Sequence, residues 1–148
     1  MVKLARKGKT NLAIREVAAE LVNELPERNW NAEIRCIFEF VRDNIRYTLD
    51  IDDTELLQGP EYTLEHGFGD CDDKSILLAS LLGSIGHSSR FVAIGYRPNE
   101  YAHVFVETIA AGGEGNWIAL DPTEDVPMGW RPPGPYAMRP MMMNVSVG

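Results

Sequence analysis

Three residues of the types that together perform acyl transfer occur along the chain in the order Cys71, His103, Asp121. Cys71 stands in Gly69-Asp70-Cys71-Asp72-Asp73-Lys74-Ser75. There Gly69 permits a tight turn, Asp70 is a natural N-cap, and residues 76–85 read as an apolar helix ended by Gly86. The unpaired N–H groups and dipole of a first helical turn favour an anion. An ordinary free thiol is only a few per cent ionised at neutral pH, whereas helix N-termini and a neighbouring imidazolium lower thiol pKa values to roughly 3.5–7.5. His103 lies in Tyr101-Ala102-His103-Val104-Phe105-Val106-Glu107, an alternating run that reads as a strand. Asp121 ends a second strand, Trp117-Ile118-Ala119-Leu120, which Pro122 stops by withdrawing a backbone donor. A helix-borne thiol, a strand-borne imidazole and a strand-end carboxylate supply a nucleophile, a base and an orienting group.

The blocks around these residues resemble the transglutaminase-like superfamily, whose core shares its Cys-His-Asp arrangement with papain-like cysteine proteases. Val41-Arg42-Asp43-Asn44-Ile45-Arg46-Tyr47 is similar to the family's helix end, and Thr63-Leu64-Glu65-His66-Gly67-Phe68-Gly69-Asp70-Cys71-Asp72-Asp73 to its nucleophile region. Residues 90–96 resemble the strand after the cysteine helix, Ala102-His103-Val104 the histidine strand, and residues 117–122 the aspartate strand. The resemblance covers about residues 30 to 125. It implies Cys71 as nucleophile, His103 as base and Asp121 as orienter. It names no single reaction, because the superfamily contains peptidases, amidases, crosslinking acyltransferases and members without activity. A small bacterial or phage-type member is the version it suggests.

The elements that must position the three residues follow from periodicity and punctuation. Thr10 is the expected cap of a helix in which Ile14, Val17, Ala18, Leu21, Val22 and Leu25 recur at three- and four-residue spacing before Pro26. Asn31 is the expected cap of a second helix, with Ile34, Ile37, Phe38, Val41 and Ile45 as its buried stripe. Residues 50–60 read as a polar, acidic loop of the kind that borders clefts. Strands are expected over 90–96, 101–109 and 117–120. The first two should form a hairpin through Arg97-Pro98-Asn99-Glu100, with a second, glycine-rich turn over 111–116. Helices first and strands afterwards predict an α+β fold, with the cysteine at the N-terminus of a central helix packed on a small antiparallel sheet. The catalytic domain is placed at 1–126. Residues 127–148, rich in Pro and Met, form an extension that wraps its own core, covers the cleft or docks a protein partner.

A chain of 148 residues can enclose one substantial core. The net charge of −8 argues against nucleic-acid binding, which relies on clustered Lys and Arg. Lys3, Arg6, Lys7 and Lys9 make a cationic start, but no apolar signal region follows it and no run reaches membrane-spanning length. A cytoplasmic setting with Cys36 and Cys71 as thiols is the simplest expectation, with virion association the alternative for a phage protein.

The remaining candidates have plainer readings. Cys36, mid-helix without a cap or neighbouring His, reads as a small hydrophobe. His66 and His87 read as loop residues, with His66 a fallback base. Asp70, Asp72 and Asp73 lack the spacing of a calcium loop, and Cys71, His103 and Asp121 lack paired zinc-ligand motifs, so no cofactor is expected. Asp72 and Asp73 must then point away from the thiol or pair with Lys74 or Arg90. The expected activity is hydrolysis of a protein or peptide amide through a thioester. The alternatives are glutamine crosslinking and a noncatalytic assembly module. One oxyanion donor would be the Cys71 N–H, with Gln58, Trp30 or another backbone amide as the second.

Overall fold

The computed structural model describes residues 1–49, 57–95, 102–111 and 116–133, together with the backbone of 143–145. The cationic start is a helix, α1 (Val2–Gly8), which buries Ala5 and Gly8 while Lys3, Arg6 and Lys7 stay in water. Thr10 does not cap the next helix. Its hydroxyl donates to the Lys7 carbonyl at 3.0 Å and closes the end of α1. The cap of α2 (Leu12–Val22) therefore falls to Asn11, whose side chain accepts from the Ile14 N–H at 3.2 Å. Similarly, α3 (Trp30–Asn44) is capped by Asn29, which accepts from the Ala32 N–H at 3.2 Å, so Asn31 lies inside the helix. Its buried stripe is the one expected, Ile34, Ile37, Phe38 and Val41, continued by Ile45.

After α3 the chain forms β1 (Arg46–Tyr47), so these two residues are a strand and not a helix end. The expected loop over 50–60 is shorter than predicted, because Pro60 opens α4 (Pro60–His66), while 50–56 lie outside the described residues. Proline at the first helical position and Gly67 at φ 73° after the last give α4 both of its boundaries. Next, β2 (Phe68–Gly69) pairs in parallel with β1, placing Tyr47 opposite Gly69.

The central helix, α5 (Cys71–Ser84), is buried from 73 to 83. A helix enclosed on every side must be surrounded by other elements, and here α1, α2, α3 and α4 pack around it, with β3 and β4 against its remaining face. The sheet consists of β3 (Ser88–Ile94), β4 (His103–Ile109), β5 (Ile118–Leu120) and β6 (Met143–Val145), in the antiparallel order β5-β4-β3-β6. The predicted hairpin is present, with Ile94 opposite His103, although its turn at 97–100 and residues 112–115 of the second turn lie outside the described residues. Leu77, Leu78, Leu81 and Leu82 of α5 form one core with Ile37 and Phe38 of α3 and with Phe91, Val106 and Leu120 of the sheet. The architecture is α+β.

Part of the extension packs on the core. The Gly129 N–H donates to the Ala119 carbonyl at 2.8 Å, and β6 adds to the edge of the sheet with Asn144 opposite Arg90. Pro135, Met138, Pro140, Met141 and Met142 lie outside the described residues.

Candidate active site

The first turn of α5 is held by a capping box. Asp70 Oδ1 accepts from the Asp73 N–H at 3.0 Å, and Asp73 Oδ2 accepts from the Asp70 N–H at 3.2 Å. Asp73 Oδ1 also accepts from the Gln58 N–H at 2.9 Å. Burial pushes the Asp73 carboxyl up to about 6, although both amide hydrogen bonds pull the other way. The tension among the acidic residues is thus relieved differently from the expectation. Asp73 folds back onto backbone amides, Lys74 is directed to another helix, and Arg90 engages Glu107 at 3.0 Å. Asp72 stays beside the thiol, its Oδ1 4.0 Å from Cys71 Sγ.

Lys74 is buried, and its Nζ donates to the Ile45 carbonyl at 2.6 Å and more weakly to the Arg42 carbonyl at 3.4 Å. These are carbonyls at the end of α3, where a cation is favoured. Burial lowers the Lys74 pKa to about 8, against the raising effect of Asp121 and Asp43. The lysine thereby anchors the turn that carries Cys71 to the end of α3.

His103 begins β4, and the Ser75 hydroxyl reaches the Val104 carbonyl at 3.5 Å, so the cysteine helix touches the histidine strand directly beside both residues. Asp121 follows β5 and is fully buried. Its Oδ2 lies 2.7 Å from His103 Nε2, and its Oδ1 accepts from the Thr123 N–H at 3.1 Å. With Nε2 engaged by Asp121, Nδ1 is the ring nitrogen left for a second partner. Burial disfavours a charge on His103. Hydrogen bonds with Asp121 and then Cys71, together with the electrostatic influence of both, outweigh burial and push its pKa up to about 10. The structure therefore brings together Cys71, His103 and Asp121, with the His103 pKa raised by its two partners.

The other candidates lie elsewhere. His66 ends α4, stacked on Tyr62 with ring centroids 3.9 Å apart and with Nδ1 3.0 Å from the Tyr62 carbonyl. His87 is the expected loop residue, between α5 and β3, but it is fully buried, with Nε2 3.1 Å from Glu33. The Cys36 thiol donates to the Leu21 carbonyl at 3.1 Å, and burial, then the charge of Glu39, pushes its pKa up, away from the reactive form. Trp30 begins α3, about 20 Å of helix from the end that meets Lys74. Gln58 uses its N–H on Asp73, and its side-chain oxygen accepts from the Thr63 hydroxyl at 3.1 Å.

Residues that sequence reasoning left without a role also reach the site. Tyr47 lies opposite Gly69 in the short parallel ladder, and partners in such a ladder project from the same face. A Cβ on Gly69 would come 2.6 Å from Asp73 Cβ, so that face is the one turned toward the first turn of α5. Burial raises the Tyr47 phenol, as do the charges of Cys71, Asp70, Glu124 and Asp72. Two cavities share Glu124. One, of about 480 Å³, is lined by Tyr47, Lys74 and Thr123 among others. The other, of about 420 Å³, is lined by His103 and Asp121 together with Trp130 and Pro132.

The family model of the transglutaminase-like superfamily matches residues 15–122. No curated protein matches the chain in sequence. Among solved structures, a candidate protease from Parabacteroides distasonis superposes with a TM-score of 0.65 at 14% identity, over 85% of this chain and 26% of that one. The chain thus spans about a quarter of that protein. A candidate cysteine protease from Cytophaga hutchinsonii gives a TM-score of 0.56 at 18% identity, over 75% of this chain and 37% of that one. Legionella pneumophila LapG gives 0.52 at 17% identity, over 84% of this chain and 74% of that one. At such identities these are likenesses of fold. A calcium-bound form of the Legionella protein is also similar, with a TM-score of 0.53 at 15% identity, over 96% of this chain and 80% of that one. In this chain the Asp70 and Asp73 carboxylates serve the capping box, and no group of three or more His, Cys, Asp or Glu side chains among the described residues is gathered as for a metal.

Proposed function

The chain belongs to the transglutaminase-like superfamily, and we propose that it is a cysteine-dependent hydrolase of protein or peptide amides. The observation that carries this reading is the 2.7 Å contact between His103 Nε2 and Asp121 Oδ2, which leaves Nδ1 as the ring nitrogen free for a second partner, with Cys71 within reach of the ring. Cys71 Sγ attacks the amide carbonyl, and the electron pair displaced onto oxygen forms a tetrahedral oxyanion. As that intermediate collapses, the C–N bond breaks and His103 gives its proton to the departing nitrogen. The product is a thioester on Cys71. Water then attacks the thioester with His103 as base, releasing the carboxylic acid and restoring Cys71. Asp121 keeps the ring oriented and favours its charged form.

The Cys71 N–H is in the first turn of α5, where no intrahelical partner exists, and it supplies one oxyanion donor. Tyr47 supplies the second in place of Gln58 or Trp30, since its strand partner is Gly69 and its phenol pKa is raised, first by burial and then by the neighbouring charges, which favours the donor form. The two reactions of the thiol separate this role from general effects. Alkylation by iodoacetamide has no oxyanion, whereas acylation by p-nitrophenyl acetate passes through one. Tyr47→Phe should slow acylation by about 10- to 100-fold while alkylation stays near wild type. Equal effects on both reactions would remove Tyr47 from the oxyanion site.

The reading as a whole is tested by the pH dependence of alkylation at Cys71, resolved from Cys36 by peptide mass analysis, in wild type and His103→Ala. Fast reaction persisting well below about pH 8, and weakened by the substitution, is the expected result. An ordinary thiol profile unchanged in the variant would favour the noncatalytic assembly module. Crosslinking in place of hydrolysis would appear as product yield that rises with added primary amine.

A further inference from the structure

Beside His103 lies a cavity of about 420 Å³ whose walls come from the segment that follows the catalytic aspartate. Trp130, Pro132, Pro133 and Ala102 give it apolar sides, and Glu124 is its acidic rim. The wall is fixed before any substrate arrives. Arg42 Nη1 donates to the Val126 carbonyl at 3.0 Å, and the Gly129 N–H donates to the Ala119 carbonyl at 2.8 Å, with Gly129 taking φ 95°. Arg131 then reaches the buried Glu107 at 2.7 Å. Trp130 is thus held between two anchored neighbours, and the rings of Pro132 and Pro133 stiffen the backbone just beyond Arg131. A preformed wall avoids the ordering cost of building one on binding.

Position assigns the occupant. In the hydrolysis proposed for this site, His103 hands its proton to the leaving nitrogen, so the amine half of the substrate must lie on the His103 side. This cavity opens there. Its volume falls in the range of ligand pockets and exceeds the needs of one side chain. We propose that this cavity is the subsite for the leaving amine, that it takes an apolar or aromatic side chain against Trp130, and that Glu124 turns away acidic ones. The proposal rests on the hydrolase reading and adds to it a substrate class and a role for part of the extension.

The site can be read in reverse. An acetyl thioester on Cys71 formed from p-nitrophenyl acetate is attacked by an amine. The new C–N bond forms as the C–S bond breaks, the nitrogen's proton passes to His103, and the Cys71 sulfur leaves with the electron pair. The amine that attacks occupies the place of the amine that leaves. The experiment offers the acetylated full chain phenylalaninamide, glycinamide or the α-amide of glutamic acid. Each acetyl-amide product is compared with the hydrolysis product, after correction for each amine's attack on a free thioester.

Phenylalaninamide should capture the acetyl group at least about ten-fold better than glycinamide, the lower end of what one apolar contact distinguishes. Trp130→Ala should bring that ratio to within about two-fold, and Glu124→Gln should raise capture by the glutamic acid amide several-fold. The iodoacetamide rate at Cys71 in each variant corrects for any change in the nucleophile. Should Trp130→Ala fail to fold, the exposed Glu124→Gln still decides the acidic arm. Acetylation without discrimination among the amides, or discrimination that survives Trp130→Ala, overturns the subsite and leaves the hydrolase reading standing. Failure of wild type to form any acetyl-Cys71 overturns both.

Discussion

Two imidazoles in this molecule are each bonded to a carboxylate, yet they differ in charge. His87 lies in the core, with Nε2 3.1 Å from Glu33 and with Nδ1 accepting the Ala111 N–H at 2.9 Å. A nitrogen that accepts cannot also carry a proton, so the ring is neutral. Burial lowers its pKa, and Glu33 only partly offsets that. His103 is also largely buried, but its hydrogen-bond partners are Asp121 and Cys71, both of which favour the charged ring. Its pKa rises to about 10. A carboxylate neighbour alone does not make an acid–base residue; the group at the other ring nitrogen decides it. At His87 that partner is a backbone donor and the result is a core strut. At His103 the second partner is a thiol, and the pKa of the ring is raised.

The largest test of this contrast sets the two cysteines against each other. Cys71→Ala should abolish acetylation by p-nitrophenyl acetate while leaving the denaturation midpoint nearly unchanged, because a helix-start side chain at the edge of the core packs little. Cys36→Ala should do the reverse, with acetylation intact and a loss of about 1–3 kcal/mol in urea unfolding. Gross unfolding of Cys71→Ala would make that residue structural and end the distinction.

Next in size is removal of each carboxylate's charge. Asp121→Asn should slow acetylation by on the order of 10³-fold, since the amide neither stabilises an imidazolium nor holds the same tautomer. The His103 ring, followed by NMR, should then titrate well below about 10, because burial loses its main opponent. Glu33→Gln should leave acetylation within about two-fold, because His87 is no part of the site. Similar losses in both variants would mean that the two histidines are not distinct in function.

How much of this was legible in the sequence differs by scale. The α+β order, the Asp70 cap, the hairpin ending at His103 and the stripe of α3 all follow from periodicity and local chemistry, which one window of sequence contains. Cap positions slipped where a neighbour competed for the same role, as Thr10 did by closing α1 and leaving α2 to Asn11. The burial of His87 was hidden because its partners, Glu33 and Ala111, are distant in sequence. Tyr47 and Trp130 were missed for the same reason. A two-residue parallel ladder has no alternation to detect, and the wall beside His103 is held by contacts distant in sequence, Arg42 with Val126 and Arg131 with Glu107 among them. Asp73 was weighed as a charge near the thiol, whereas the third position after an aspartate N-cap signals a capping box.

The smallest effect discriminates the two histidines without any substrate. A group whose pKa is raised on folding binds more protons in the native state, so stability falls as pH rises between the unfolded and folded values. For His103 that window runs from 6.5 to about 10. Lys74, lowered from 10.5 to about 8, contributes the opposite slope above about 8, and Asp73, raised from 3.8 to about 6, acts only below that. His87, lowered from 6.5, acts below 6.5, where its contribution makes stability rise with pH. A thiolate at Cys71 would give up the proton that His103 gains, so the His103 slope is read in Cys71→Ala, where Asp121 still favours the charged ring and His103 is the dominant titrating group among these between about pH 6.5 and 8. Urea unfolding of Cys71→Ala should lose stability across that window with a slope of at most about 1.4 kcal/mol per pH unit, the limit for one proton. Adding His103→Gln should flatten the slope, whereas adding His87→Gln should lower stability at every pH and leave the slope in place. A flat Cys71→Ala profile from 6.5 to 8 would mean that Asp121 does not hold His103 as a cation, and the division between the two histidines would fail at its electrostatic root.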